Sequence, residues 1–224
     1  MPLNEDNHTM HDYNEKVIPA VYQTQQILQA DLTHCKKKLQ TCQNNQFWRR
    51  MYVRALFALI EGMTHGIRSL AFSQHSTIEV VSALYGREFT GFQKLGQVWL
   101  NLMNDEAPEI KDNGEVKYKS VKTSVIALPL FVLRTCAVMI KYEPNPDLSD
   151  KGYQGLKIAV KVRDRLMHPK LSVDVSDQEM EAIEEGETWF LIKYQDLRGA
   201  QANFDERLKA WMLELVEDYK QSTK

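Results

Sequence analysis

"FWRRMYVRALFALIEGMTHGIRSLAF", residues 47–72, is the stretch on which the fold turns. Apolar side chains run through it at helical spacing, with no proline and no turn dipeptide. It predicts one long helix, buried along most of its length, as the centre of a bundle. The flanking sequence supplies partners for it. Upstream, Leu28, Leu32, Cys35, Leu39 and Cys42 step by four, three, four and three, an a/d seam on an otherwise polar segment. So narrow a seam predicts a helix over 15–46 that packs along one stripe and projects as an arm or dimerisation strut.

Downstream, Ser76 with Glu79 and Ser176 with Glu179 have capping-box spacing, which predicts a helix start at each serine. Between them lies the most apolar run, "VIALPLFVLRTCAVMI", residues 125–140. It contains Pro129 and Arg134 and falls short of a membrane span, so it reads as a core helix over about 120–142. "EPNPDLSD" stops that helix, and Ser149 or Asp150 can cap the next. Asn113-Gly114 in "EIKDNGEVKYK" marks the one credible hairpin. A last helix is expected from Asp177 towards Tyr219, with a break near Arg198 and Gly199. The expected fold is an all-α bundle of about five or six helices with a long N-terminal helix. Residues 1–14 read as a disordered tail, 15–46 as that helix and 47–224 as one helical domain.

Composition narrows the function. Of 224 residues, 43% are hydrophobic and 26% charged, and the net charge is −2. That balance argues against a protein that coats DNA and leaves room for a local basic patch. Three cysteines without a CxxC pair fit thiols in a reducing compartment, Cys35 and Cys42 as core packing. The acidic, polar N-terminus has no apolar core of the kind a signal peptide needs, so a cytoplasmic protein with no membrane partner is expected.

Chemistry concentrates in "KIAVKVRDRLMHPK", residues 157–170. Ile158, Val162 and Leu166 recur every four residues, so this helix buries one face. Pro169 disfavours helical geometry at the preceding residue, so the helix ends at Met167 or His168. On an ideal helix Asp164 and Arg165 are each close to His168, whereas Arg163 points away from it. Cations at a helix C-terminus compensate the macrodipole, worth about 0.3–1 kcal/mol each, and that alone would account for them. The charge segregation adds to this. Three lysines, two arginines and one acid lie within 157–170, and the next stretch, 174–187, has seven acids and no base. A basic end beside an acidic helix suits an anion site.

"VRDRLMHPK" resembles the signature of the HEPN superfamily (higher eukaryotes and prokaryotes nucleotide-binding domains), an Arg followed by a polar residue and, four to six residues on, a His. Arg163, Asp164 and His168 fill those positions. The helix order agrees over roughly residues 47–195, with Glu61 standing where such domains carry an acid on their early helix. The resemblance implies a helical bundle, a homodimer with two motifs facing across the interface, and a metal-independent endoribonuclease or RNA-binding protein of a toxin–antitoxin or phage-defence setting, with a regulatory protein partner. On that reading Arg163 and His168 are catalytic, Asp164, Arg165 and Glu61 support them, and Lys161 and Lys170 bind RNA. No cofactor and no metal are implied. The chain departs from the pattern twice. Asp164 stands where Asn is common, and Lys170 stands where one toxin branch has a modifiable tyrosine. A catalytically silent interaction or dimerisation module is the alternative.

Two pairings stay open in the sequence. Glu61 can pair with Arg163 or Arg165, and Asp164 can bridge to Arg165 or orient His168. His8 and His11 fall in the polar tail, His65 reads as a helix-packed histidine and His75 as one at a helix end. No Gly-rich phosphate loop and no GxSxG elbow is present.

Overall fold

The computed structural model describes residues 18–87, 106–110, 116–120, 149–168 and 173–222. The chain is all-α in class. Its described elements are helices α1 (Ile18–Thr41), α2 (Gln46–Tyr85), α3 (Lys151–Met167) and α4 (Asp177–Ser222), with one hairpin, β1 (Glu106–Ile110) and β2 (Val116–Ser120). The strands are antiparallel with Glu106 opposite Ser120 and Ile110 opposite Val116, on either side of the expected Asn113-Gly114 turn. That turn, the tail, the apolar run 125–140 with Cys136, and Lys170 lie outside the described residues.

The chain forms two compact units. Unit 1 takes Met1–Ile67, Ser124–Leu130 and Asn145–Gln195; unit 2 takes Arg68–Thr123, Phe131–Pro144 and Asp196–Lys224. Unit 2 buries Ile78, Leu197, Leu208 and Leu215, and near its ends Arg87 pairs with Asp218 at 2.6 Å.

The central stretch 47–72 is helical as expected, and its inner face (Tyr52, Val53, Leu56, Leu59, Ile60) forms the heart of unit 1. Two capping expectations separate here. At Ser176 the box closes: its N–H donates to Glu179 Oε2 at 2.9 Å, and the Glu179 N–H donates to Ser176 Oγ at 3.2 Å. At Ser76 α2 passes straight through, so Ser76 does not start a helix and His75 is not at a helix end. A capping box is a local option, and apolar spacing sustained on both sides of Ser76 overrides it. The break expected near Gly199 is likewise absent, because one glycine costs a helix only about 1 kcal/mol.

The a/d seam of α1 packs within its own unit: Leu32 and Cys35 are buried in the core, with Leu28 and Leu39 packed beside them. Glycines in α2 let α1 come close, since a Cβ on Gly62 would stand 2.5 Å from Leu28 Cδ1. Cys42 lies one residue beyond α1 and is exposed, so it is not the core residue its spacing suggested. Between α1 and α2, Asn45 caps the second helix, its Oδ1 accepting from the N–H groups of Phe47 (3.0 Å) and Trp48 (3.3 Å).

α3 and α4 cross at backbone contact. A Cβ on Gly186 would stand 2.5 Å from Leu156 N, and one on Gly155 would collide with the Ala182 carbonyl. The crossing rotates the buried face of α3 onto Gly152, Gly155, Leu156, Ala159, Val162 and Leu166. Ile158, expected on that face, falls at its exposed margin. Asp150 caps α3 by accepting from Gly152 N–H at 2.7 Å, and His168 closes it at φ −127°, ψ 69°, outside the helical region that a following proline disfavours.

Candidate functional site

α3 carries the charged motif along the edge of unit 1. Arg163 Nη2 donates to Glu61 Oε1 on α2 at 2.9 Å, and its guanidinium lies 5.5 Å from the centroid of the buried Phe57 ring. The structure thereby resolves the first open pairing: Glu61 takes Arg163, not Arg165. Asp164 resolves the second against both options, since its carboxylate reaches Arg163 Nη1 at 3.5 Å and neither bridges Arg165 nor meets the His168 ring among the described residues. Its main-chain carbonyl accepts from His168 N–H at 2.9 Å.

Arg165 belongs to the scaffold. Its guanidinium grips Glu179 in a two-point fork at 2.8 and 3.0 Å and donates to the Asp174 carbonyl at 2.7 Å. The hydrogen bond from Arg165 holds the Glu179 carboxyl below its ordinary value, and that same carboxylate closes the capping box of α4. Sequence spacing placed Arg165 beside His168; packing turns it towards α4 instead.

His168 is exposed at the end of α3, and its ring makes no hydrogen bond or ion pair among the described residues. Lys161, two turns earlier, is also exposed. Arg163 and His168 are not brought together within one copy, as five residues of helix separate their directions by about 140°. The motif thus presents an anchored arginine, a free imidazole and an exposed lysine on a solvent-facing surface. His65 is exposed too, contrary to the packed role expected of it.

Two polar clusters escaped sequence reasoning. Glu187, only 2% exposed, accepts from Tyr52 Oη and from Lys36 Nζ at 2.7 Å. Burial and then the adjacent Glu187 charge push the Tyr52 phenol far above its ordinary value. Nothing marks Glu187 among the seven acids of 174–187, because which of them turns inward depends on the crossing at Gly186. Arg49 is the second case. Buried, it donates to the carbonyls of Gln43 (2.9 Å) and Val175 (2.8 Å), to Asn44 Oδ1 and to Asp177. With Gln46, which exchanges two hydrogen bonds with the Val175 backbone, it pins the start of α4 to α2. The polar Arg49-Arg50 pair inside an apolar helix was the available signal.

A cleft of about 580 Å³ between α1 and α4, and a more open one of about 920 Å³ beside Arg165, are lined by other residues than Arg163 and His168. Among the described residues, no group of three or more His, Cys, Asp or Glu could hold a metal ion, and no helix is long and apolar enough to cross a membrane.

Fold and site define an all-α protein with a basic, solvent-facing helix end. No family model matches the chain, and no curated protein or solved structure is similar enough to count as a match.

Proposed function

We propose that the chain is a HEPN-type, metal-independent endoribonuclease acting as a homodimer, with His168 and Arg163 as its catalytic pair. One observation carries the reading: His168 stands exposed at the end of α3 with no ring partner among the described residues, while Glu61 anchors Arg163 five residues earlier on the same helix. A histidine kept only as a helix terminator has no need of an arginine five residues earlier on its helix being anchored from α2. The chemistry suits these groups. The ribose 2′-OH attacks its own phosphate as the P–O5′ bond breaks, an imidazole moves the proton from the 2′-OH to the departing 5′-oxygen, and a guanidinium fork steadies the negative charge that builds on phosphorus oxygens. General acid–base catalysis of this sort contributes about 10²–10⁴-fold.

Because the two side chains diverge on one helix, the complete site takes His168 from one copy and Arg163 from its partner. Mixing Arg163→Ala with His168→Ala protein tests this. Heterodimers regain a native site and partial RNA cleavage if the site is shared, and remain inert if each copy works alone.

The interaction-module reading draws on Arg163 itself, which is already satisfied by Glu61 and Asp164. On that reading an RNA phosphate gains nothing by competing for it, and the edge of α3 docks protein.

A further inference from the structure

The corner where α1 ends and α2 begins carries an aromatic cluster that the site above does not use. Phe47 leaves 53% of its surface exposed in the first turn of α2, where the Asn45 cap fixes the backbone. Its ring meets Trp48 edge-on, with centroids 5.1 Å apart and planes at 79°. Trp48 packs partly on the core and is flanked by the His34 ring at 5.8 Å and by Lys38 Nζ at 5.9 Å. One face of Phe47 is therefore presented to solvent on a rigid mount.

Both helices of the corner carry cations. Lys37 and Lys38 are exposed on α1 beside His34. On α2, Phe47, Arg50, Arg54, Phe57 and Glu61 step by three, four, three and four, so they lie along one edge of the helix. That edge runs about 21 Å from the exposed ring to the carboxylate that holds Arg163. Glu61 on that edge is engaged by Arg163 at 2.9 Å, and Asp174, just ahead of α4, by Arg50 at 3.8 Å. Lys37, Lys38 and Arg54 have no ion-pair partner among the described residues.

We propose that this corner is a stacking platform for an unpaired base of single-stranded nucleic acid, with Phe47 under the base and Lys37, Lys38, Arg50 and Arg54 along the phosphates. The charge selects this occupant. Lysine is depleted from the cores of protein–protein interfaces, whereas an exposed ring set among cations is how single strands are held without sequence preference. The inference rests on the reading that the chain handles RNA, and it extends the site along α2 towards Arg163.

Fluorescein-labelled 2′-O-methyluridine and thymidine 12-mers, which lack the attacking 2′-OH, and a matched duplex are titrated against the full chain by anisotropy. The wild type binds both single strands and leaves the duplex at least tenfold weaker. Phe47→Ala, at an exposed position, keeps the helical circular dichroism and loses about five- to hundredfold in affinity for the strands. Joint Lys37→Gln and Lys38→Gln flattens the salt dependence instead. Strand binding equal to wild type in Phe47→Ala, duplex binding as tight as strand binding, or no strand binding at all overturns the platform. So does a change in self-association in Phe47→Ala with strand affinity intact, which would mark the ring as a protein contact. The two proposals fail separately: Phe47-dependent binding without cleavage keeps the platform and removes the nuclease, and undiminished cleavage with unchanged KM in Phe47→Ala does the reverse.

Discussion

Glu61 and Arg163 meet across two helices at 2.9 Å, from positions 102 residues apart. Glu61 is half exposed and Arg163 less than a third, so as a stability element the pair is worth about 0–1 kcal/mol. Its consequence is orientation: it fixes the guanidinium over Phe57 and aims it along the α3 edge. Glu61→Gln is expected to melt within a few degrees of wild type while RNA cleavage falls at least tenfold, read by thermal denaturation and cleavage assays side by side. Cleavage unaffected by Glu61→Gln would leave the pair as surface decoration.

The two motif arginines should separate cleanly. Arg165→Ala loses the fork to Glu179 and loosens the α4 cap, costing about 1 kcal/mol of stability. The lowered Glu179 carboxyl gives this contribution a pH signature. A group whose folded value is depressed stabilises above its unfolded value and loses that stability as pH falls through the folded one. The deficit of Arg165→Ala is therefore full at neutral pH and shrinks below about pH 4. Arg163→Ala costs no more than about 1 kcal/mol of stability at neutral pH and removes cleavage. Urea titrations across pH check the contrast.

Much of this division was out of reach of the sequence, for physical reasons. The long central helix, the closed box at Ser176, the Asp150 cap and the stop at His168 were legible because each depends on residues within one or two turns. The continuous run of α2 through Ser76 and of α4 through Gly199 was not, since tertiary burial outweighs a local cap or a single glycine. The seam of α1 is legible as a buried stripe and the core it packs against is not, because spacing shows that a stripe is buried and not by what. Arg165 was placed near His168 from ideal helix geometry; the crossing at Gly155 and Gly186 sets which flank of α3 meets α4.

That crossing predicts opposite signs for two glycines of one helix. Gly186→Ala must push α3 from α4 and costs about 1–3 kcal/mol. Gly199→Ala meets nothing within 4 Å and gains up to about 1 kcal/mol from helix propensity. Chemical denaturation of both variants decides it.

Alkaline behaviour follows from Tyr52. Its phenol is raised, first by burial and then by the Glu187 charge. A group whose folded value lies above its unfolded one contributes fully below the unfolded value, about 10, and loses that contribution as pH rises further. The protein should lose stability above about pH 10, with one tyrosinate signal appearing only together with unfolding. Tyr52→Phe removes that alkaline loss and costs about 1–3 kcal/mol at neutral pH, because buried Glu187 loses a donor.

The most direct measurement is RNA cleavage by His168→Ala in excess EDTA, beside wild type and with circular dichroism confirming equal helix content. Wild type is expected to cleave without metal, and His168→Ala to lose at least a hundredfold in rate at unchanged stability. Cleavage that survives the substitution, or that appears only when Mg²⁺ is restored, would contradict the account.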